Sequence, residues 1–217
     1  MQTAIALNVY EESVVQVRTC LGKIAEFMPD SEVLVILNKQ RDDLFSCLTD
    51  ARVCSVSGPN YACNAYWNLW WLRMLSWFER VDPDVAIKLD PDTMIDMTPK
   101  KIPTSDYFGD VHKSAVTVAP DVYWHKDPVE FIQGGIVGLS RQARIKLKDS
   151  DILASQHLSR WCPAIAPEMI FMEDHLFSQA MKTVGIRPER WTECKSQWRI
   201  PIPNNPPEFA IVHPRYY

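Results

Sequence analysis

Apolar positions along this chain switch between two rhythms. Residues 3–10 (TAIALNVY) form a short apolar run ending in polar groups, the pattern of a buried strand. Over residues 12–27, Val14, Val17, Leu21, Ile24 and Phe27 recur every three or four positions and predict an amphipathic helix, which Pro29-Asp30 stops. Residues 32–38 (EVLVILN) return to a strand, so the chain opens β-α-β, with a parallel pairing and a right-handed crossover. A helix near 41–49 and a strand at 52–56 continue the alternation. Residues 61–80 place Trp67, Trp70, Trp71, Met74, Trp77 and Phe78 on one helical face, the stripe of a buried core helix; a sugar-stacking platform is the sharper alternative. Residues 85–89 (VAIKL) read as a strand, 107–109 and 115–118 as short strands, and 121–131 as a loop. FIQGGIVGLS (131–140) re-enters the sheet, a basic helix follows over 141–149, and a further helix over 172–184 ends at Gly185. The tail from Pro201 is proline-rich and extended.

This order predicts an α/β fold, a mostly parallel central sheet flanked by helices. No repeat or linker divides it. One domain over 1–217 is expected, in two halves of residues 1–96 and 97–217.

Composition narrows the chemistry. A net charge of -4 gives no footing for a nucleic-acid partner. Only 7 glycines are present, and neither GxGxxG nor GxxxxGK[ST] occurs, which argues against dinucleotide and P-loop phosphate binding. Cys20, Cys47, Cys54, Cys63, Cys162 and Cys194 form no CxxC and no zinc spacing. The first residues lack the charged and apolar regions of a signal peptide, and no run approaches the roughly 20 apolar residues of a membrane span. The cysteines are therefore expected to be reduced and buried in a cytoplasmic protein with no transmembrane segment.

The residues that carry chemistry begin with Asp90-Pro-Asp92, directly after the strand VAIKL. Ligands in open α/β sheets bind beyond the carboxyl ends of strands. Two acids two residues apart repel each other unless a cation is near, and Mg²⁺ or Mn²⁺ shared with diphosphate oxygens would resolve that repulsion. A turn that merely favours aspartate accounts for the same pair. Lys88, Arg73 and Arg41 are basic groups able to meet a diphosphate, or charges that serve the fold by facing solvent or pairing with acids. His112, His125, His157 and His175 form no metal-site spacing.

Taken in order, these segments resemble a compact GT-A-fold glycosyltransferase with its Rossmann-like sandwich, over most of the chain. Asp90-Pro-Asp92 resembles the DxD motif, and Phe131-Ile-Gln-Gly-Gly-Ile-Val-Gly-Leu-Ser140 the Gly-rich strand on the acceptor side. Met172-Glu173-Asp174-His175 resembles the acidic motif opening a later helix, and Ala210-Ile-Val-His213-Pro the segment whose His completes the metal shell. The resemblance implies a sugar moved from a nucleotide-sugar donor, a UDP-sugar first, to a hydroxyl of a carbohydrate, lipid or protein acceptor. It implies Asp92 and His213 as ligands of Mn²⁺ or Mg²⁺, with Asp90 on the metal or on ribose. Asp174 is the implied base, Glu173 its substitute if the register differs by one, and Asn8 and Tyr10 lie where base and ribose bind. Gly134 and Gly135 would let backbone approach the sugar; a strand bulge is the plainer account.

Three rivals use the same residues differently. A haloacid-dehalogenase-like phosphatase would use Asp90 as nucleophile, but its motif lies near the N-terminus and continues with Gly-Thr, where Thr93-Met94 stands here. A nucleotidyltransferase would show a Gly-rich basic loop after the first strand. A non-catalytic carbohydrate-binding module would keep the Trp-rich helix without a working metal site.

Overall fold

The computed structural model describes residues 1–9, 13–37, 42–45, 48, 53–57, 67–114, 129–154, 173–196 and 209–213. The strands and helices follow the expected alternation: β1 (Thr3–Val9), α1 (Val14–Phe27), β2 (Glu32–Leu37), α2 (Asp42–Phe45), β3 (Val53–Ser57), α3 (Trp67–Val81) and β4 (Val85–Leu89). After them come β5 (Met94–Ile95), β6 (Tyr107–Ser114), β7 (Val129–Ser140), α4 (Arg141–Ser150), α5 (Glu173–Thr183), β8 (Glu189–Arg190), β9 (Cys194–Ser196) and β10 (Ile211–His213). The strand expected at 115–118 and most of the loop at 121–131 lie outside the described residues, as do Tyr10 and Arg41.

Local sequence explains the boundaries. Ser13 caps α1 by accepting a hydrogen bond from the Gln16 amide, and the Gln16 side chain accepts from the Ser13 amide in return, a reciprocal capping box. The helix expected over 172–184 closes at Gly185, whose φ of +77° is the left-handed conformation that glycine adopts without a Cβ penalty.

Among the described residues the main sheet has seven strands in the order β3-β2-β1-β4-β7-β6-β8. β3, β2, β1 and β4 run parallel, β7 runs antiparallel to both its neighbours, and β6 and β8 are again parallel. The sheet is therefore mostly parallel, as the sequence predicts, and is mixed only through β7. A separate three-stranded sheet, β5-β10-β9, was not anticipated, because strands of two or three residues leave no periodicity to read.

Strand alternation sorts the core onto two faces. Ala4, Ala6 and Ala86 point at Trp70, Trp71, Met74, Trp77 and Phe78 of α3 and at Leu176 and Phe177 of α5. The small strand residues leave volume that the large rings fill, so the aromatic stripe is core. The other face carries Ile5, Leu7, Val9, Ile87 and Leu89 against Val17, Cys20 and Ile24 of α1. Cys20 and Cys194 are buried thiols. Among the described residues no helix is long and apolar enough to cross a membrane.

Candidate metal centre

From β1 the chain moves outward to β2 and β3, then returns to place β4 on the opposite side of β1. The carboxyl ends of β1 and β4 therefore flank the point where strand order reverses, where open α/β sheets leave a crevice. Asn8, fully buried, lies near the end of β1, and Asp90 follows β4 directly.

Residues 90–93 make a tight turn, closed by the Thr93 amide donating to the Asp90 carbonyl at 2.9 Å, with Pro91 at its second position. The Gly135 carbonyl of β7 anchors this turn, accepting from the Asp90 amide at 3.0 Å and from the Thr93 hydroxyl at 3.3 Å. The turn runs straight into β5, which pairs antiparallel with β10 through Met94–Val212 and Ile95–Ile211. That pairing carries His213 back to the acids across most of the sequence.

His213 Nε2 lies 3.1 Å from Asp92 Oδ1 and 3.8 Å from Asp90 Oδ2. Two carboxylate oxygens and one imidazole nitrogen stand within 4.8 Å of one another, a spacing that one cation bridges. The ring sits in space that only glycine leaves open: a Cβ on Gly135 would fall 2.0 Å from His213 Cγ and Nδ1. His213 Nδ1 is buried with no hydrogen-bond partner among the described residues. A preformed slot and an oxygen–oxygen–nitrogen donor set suit a hard to borderline divalent ion such as Mn²⁺ or Mg²⁺.

Electrostatics separate the two acids. Burial pushes the Asp90 carboxyl above its usual range, against the opposing charges of Lys88 and His213. For Asp92 burial acts in the same direction, but the hydrogen bond and charge of His213 outweigh it and hold its pKa low.

Lys88 explains how Asp90 is held. Positions 86 and 88 share one face of β4, so the Lys88 side chain, 1% exposed, lies against Trp70 of α3, with Asp90 next after the strand's end. Its ammonium is 2.8 Å from Asp90 Oδ1, 3.9 Å from Glu173 Oε2 and 5.4 Å from the Trp70 ring centroid. Burial pulls its pKa down, yet Asp90 and Glu173 outweigh that effect and keep it protonated. Lys88 thus directs its charge at two acids of its own chain, the fold-serving alternative of the sequence reading. With Oδ1 engaged by Lys88, Asp90 turns Oδ2 toward His213.

Glu173 opens α5 and accepts a hydrogen bond from Trp71 Nε1 at 2.6 Å. Burial raises its pKa to about 7, with Asp90 and Asp174 adding to the shift and Lys88 opposing it. Asp174 is 7% exposed, and its backbone carbonyl accepts from the Ser178 hydroxyl at 2.7 Å. Arg73 lies half-buried on α3, outside the group that the turn and β10 draw together.

Gly134 and Gly135 sit at an irregularity in β7. Pairing passes from Gly109–Val137 to Val111–Ile132, so β6 advances from 109 to 111 while β7 falls back from 137 to 132. The surplus of β7 is the bulge that the plainer account of the two glycines called for. For Gly134 the structure describes its place in β7 and no more. Sequence reasoning missed the ring slot at Gly135 and the Trp71–Glu173 bond. The two-residue spacing of Lys88 and Asp90 at a strand's end was the signal for their pairing.

Compared with known proteins, the chain matches no protein-family model and no curated relative.

Proposed function

We propose that this chain is a metal-dependent glycosyltransferase of the GT-A type, transferring sugar from a nucleotide-sugar donor, a UDP-sugar first, to an acceptor hydroxyl. The observation that carries the reading is the meeting of Asp90, Asp92 and His213 at the strand-order reversal. Asp92 and His213 hold Mn²⁺ or Mg²⁺, and Asp90 presents Oδ2 beside them. When bound, the ion offsets the negative charge that builds on the departing nucleoside diphosphate.

Glu173 is the better-placed base for the acceptor hydroxyl. In the metal-free chain burial raises this carboxyl's pKa to about 7, toward the range suited to a general base, and the indole of Trp71 fixes its orientation. Asp174, the first choice from sequence, is more deeply enclosed. Lys88 lies within reach of both Glu173 and Asp90, and its charge opposes the rise in both acids' pKa.

The test is equilibrium binding of UDP with and without Mn²⁺, followed by a hydrolysis screen of several nucleotide sugars. The wild-type chain should bind UDP in a Mn²⁺-dependent manner, and Asp92→Ala should lose at least about tenfold in that affinity. Absence of nucleotide binding under both conditions sinks the proposal. Release of phosphate from simple phosphate esters, abolished by Asp90→Asn, would instead make the chain a phosphatase.

A further inference from the structure

Asp110 is a carboxylate with no exposed surface, and it stands where β6 faces the β7 irregularity. Its Oδ1 accepts from Arg190 at 3.0 Å. Its Oδ2 accepts from the Ser196 amide at 2.8 Å, meets His112 Nε2 at 3.1 Å and lies 3.3 Å from Lys195 Nζ. Arg190 also donates to the Val111 carbonyl at 2.6 Å. One buried acid therefore ties β6, β8 and β9 together. Burial alone would push its pKa up, but the hydrogen bonds from His112 and the Ser196 amide, with the Lys195 charge, hold it below the usual carboxylate range.

A buried acid paired in this way is weak evidence for stability by itself, because its desolvation offsets part of the attraction. Its best-attested use is to fix one register among several. Here the register concerned is that of β9, and β9 pairs residue by residue with β10, Ser196 opposite His213. β10 has two supports: β5, which continues from the Asp90–Thr93 turn, and β9, which Asp110 holds from below. The β7 surplus facing Asp110 includes Gly135, the residue whose missing side chain admits the His213 ring. A single local irregularity thus supplies both the slot for the ring and the opposing acid that anchors its neighbouring strand.

We propose that Asp110 is a positioning residue for the metal centre, setting the place of His213 through the Ser196 amide and the β9–β10 pairing. The inference rests on the reading of Asp90, Asp92 and His213 as a cation site. It assigns Asp110 no contact with the ion or with substrate.

A double-mutant cycle on Mn²⁺ affinity, read by electron paramagnetic resonance of free Mn²⁺, tests it with wild type, Asp110→Asn, His213→Ala and the double variant. Asp110→Asn should weaken Mn²⁺ binding about tenfold, within the range for residues that orient ligands. The double variant should bind no more weakly than His213→Ala, since Asp110 acts only through that ring. Wild-type affinity in a less stable Asp110→Asn, or losses that multiply in the double variant, overturns the proposal. Hydrogen exchange of the Ser196 amide in the unaltered protein provides a second measurement if the variant fails to fold. Coupling is reciprocal, so Mn²⁺ should slow that exchange, and an unchanged rate counts against the proposal. If the wild-type chain binds no Mn²⁺, the cation reading itself falls. The ring resonances of His213 then decide the positioning role: displaced in Asp110→Asn they sustain it, and unmoved they refute it.

Discussion

A lysine in the middle of an apolar strand is costly unless its charge is matched, and Lys88 is matched twice, by Asp90 and Glu173. Burial, only partly opposed by the Lys88 charge, leaves Glu173 with a pKa of about 7 against an ordinary value of 4.5. Because the folded chain holds this proton more tightly than the unfolded one, its contribution is fully present below about pH 4.5 and is lost as pH rises through 7. The amount at stake is roughly 3 kcal/mol in the metal-free protein. Glu173→Gln keeps an acceptor for Trp71 and removes the titration. Denaturant unfolding of this variant between about pH 5 and pH 8 should therefore lack the decline that Glu173 gives the wild type, and an identical pH slope in both proteins would contradict the assignment.

At the scale of elements, the site is made by short strands that bring distant residues together. β5 and β10 carry His213 to the acidic turn, and β7 offers it a slot at Gly135. Gly135→Ala would put a methyl group where the ring lies, so the imidazole must leave or β7 must shift. Overpacking of this kind costs about 1–3 kcal/mol. The expected result is a folded protein with Mn²⁺ affinity lowered at least about tenfold, read by titration calorimetry; affinity equal to wild type would show that the ring is not a ligand. The elements themselves were legible to different degrees. The alternation from β1 to β4, the α3 stripe and the acidic start of α5 could be read from periodicity, and Asp90, Asp92 and His213 from motif order. The β5-β10-β9 sheet could not, since hydrogen-bond partners rather than residue pattern define strands that short. Nor could the burial of Asp110, which depends on how β6 faces an irregular β7. Gly135 was noticed as glycine, but its reason is a ring supplied from residue 213.

Over the whole molecule, one seven-stranded sheet is shared by two apolar layers. Trp70, Trp71 and Trp77 lie in one layer and Trp191 in the other. Neither layer can lose its packing without exposing a face of the same strands, so unfolding should be a single cooperative step. Tryptophan fluorescence and far-ultraviolet circular dichroism should report coincident thermal transitions. Two separated transitions would divide the chain into independently folding parts.

The path from Asp92 to His213 also has a consequence in time. During synthesis the strands of the parallel half, and the acidic turn after β4, leave the ribosome well before residue 213, and contacts so far apart in sequence form late. The nascent chain therefore holds Asp90 beside Lys88, its charge already compensated, before the imidazole arrives. The three candidate ligands come together only when the last-made of them threads between β5 and β9, so a chain interrupted ahead of Ala210 would keep much of its sheet and lack the cluster.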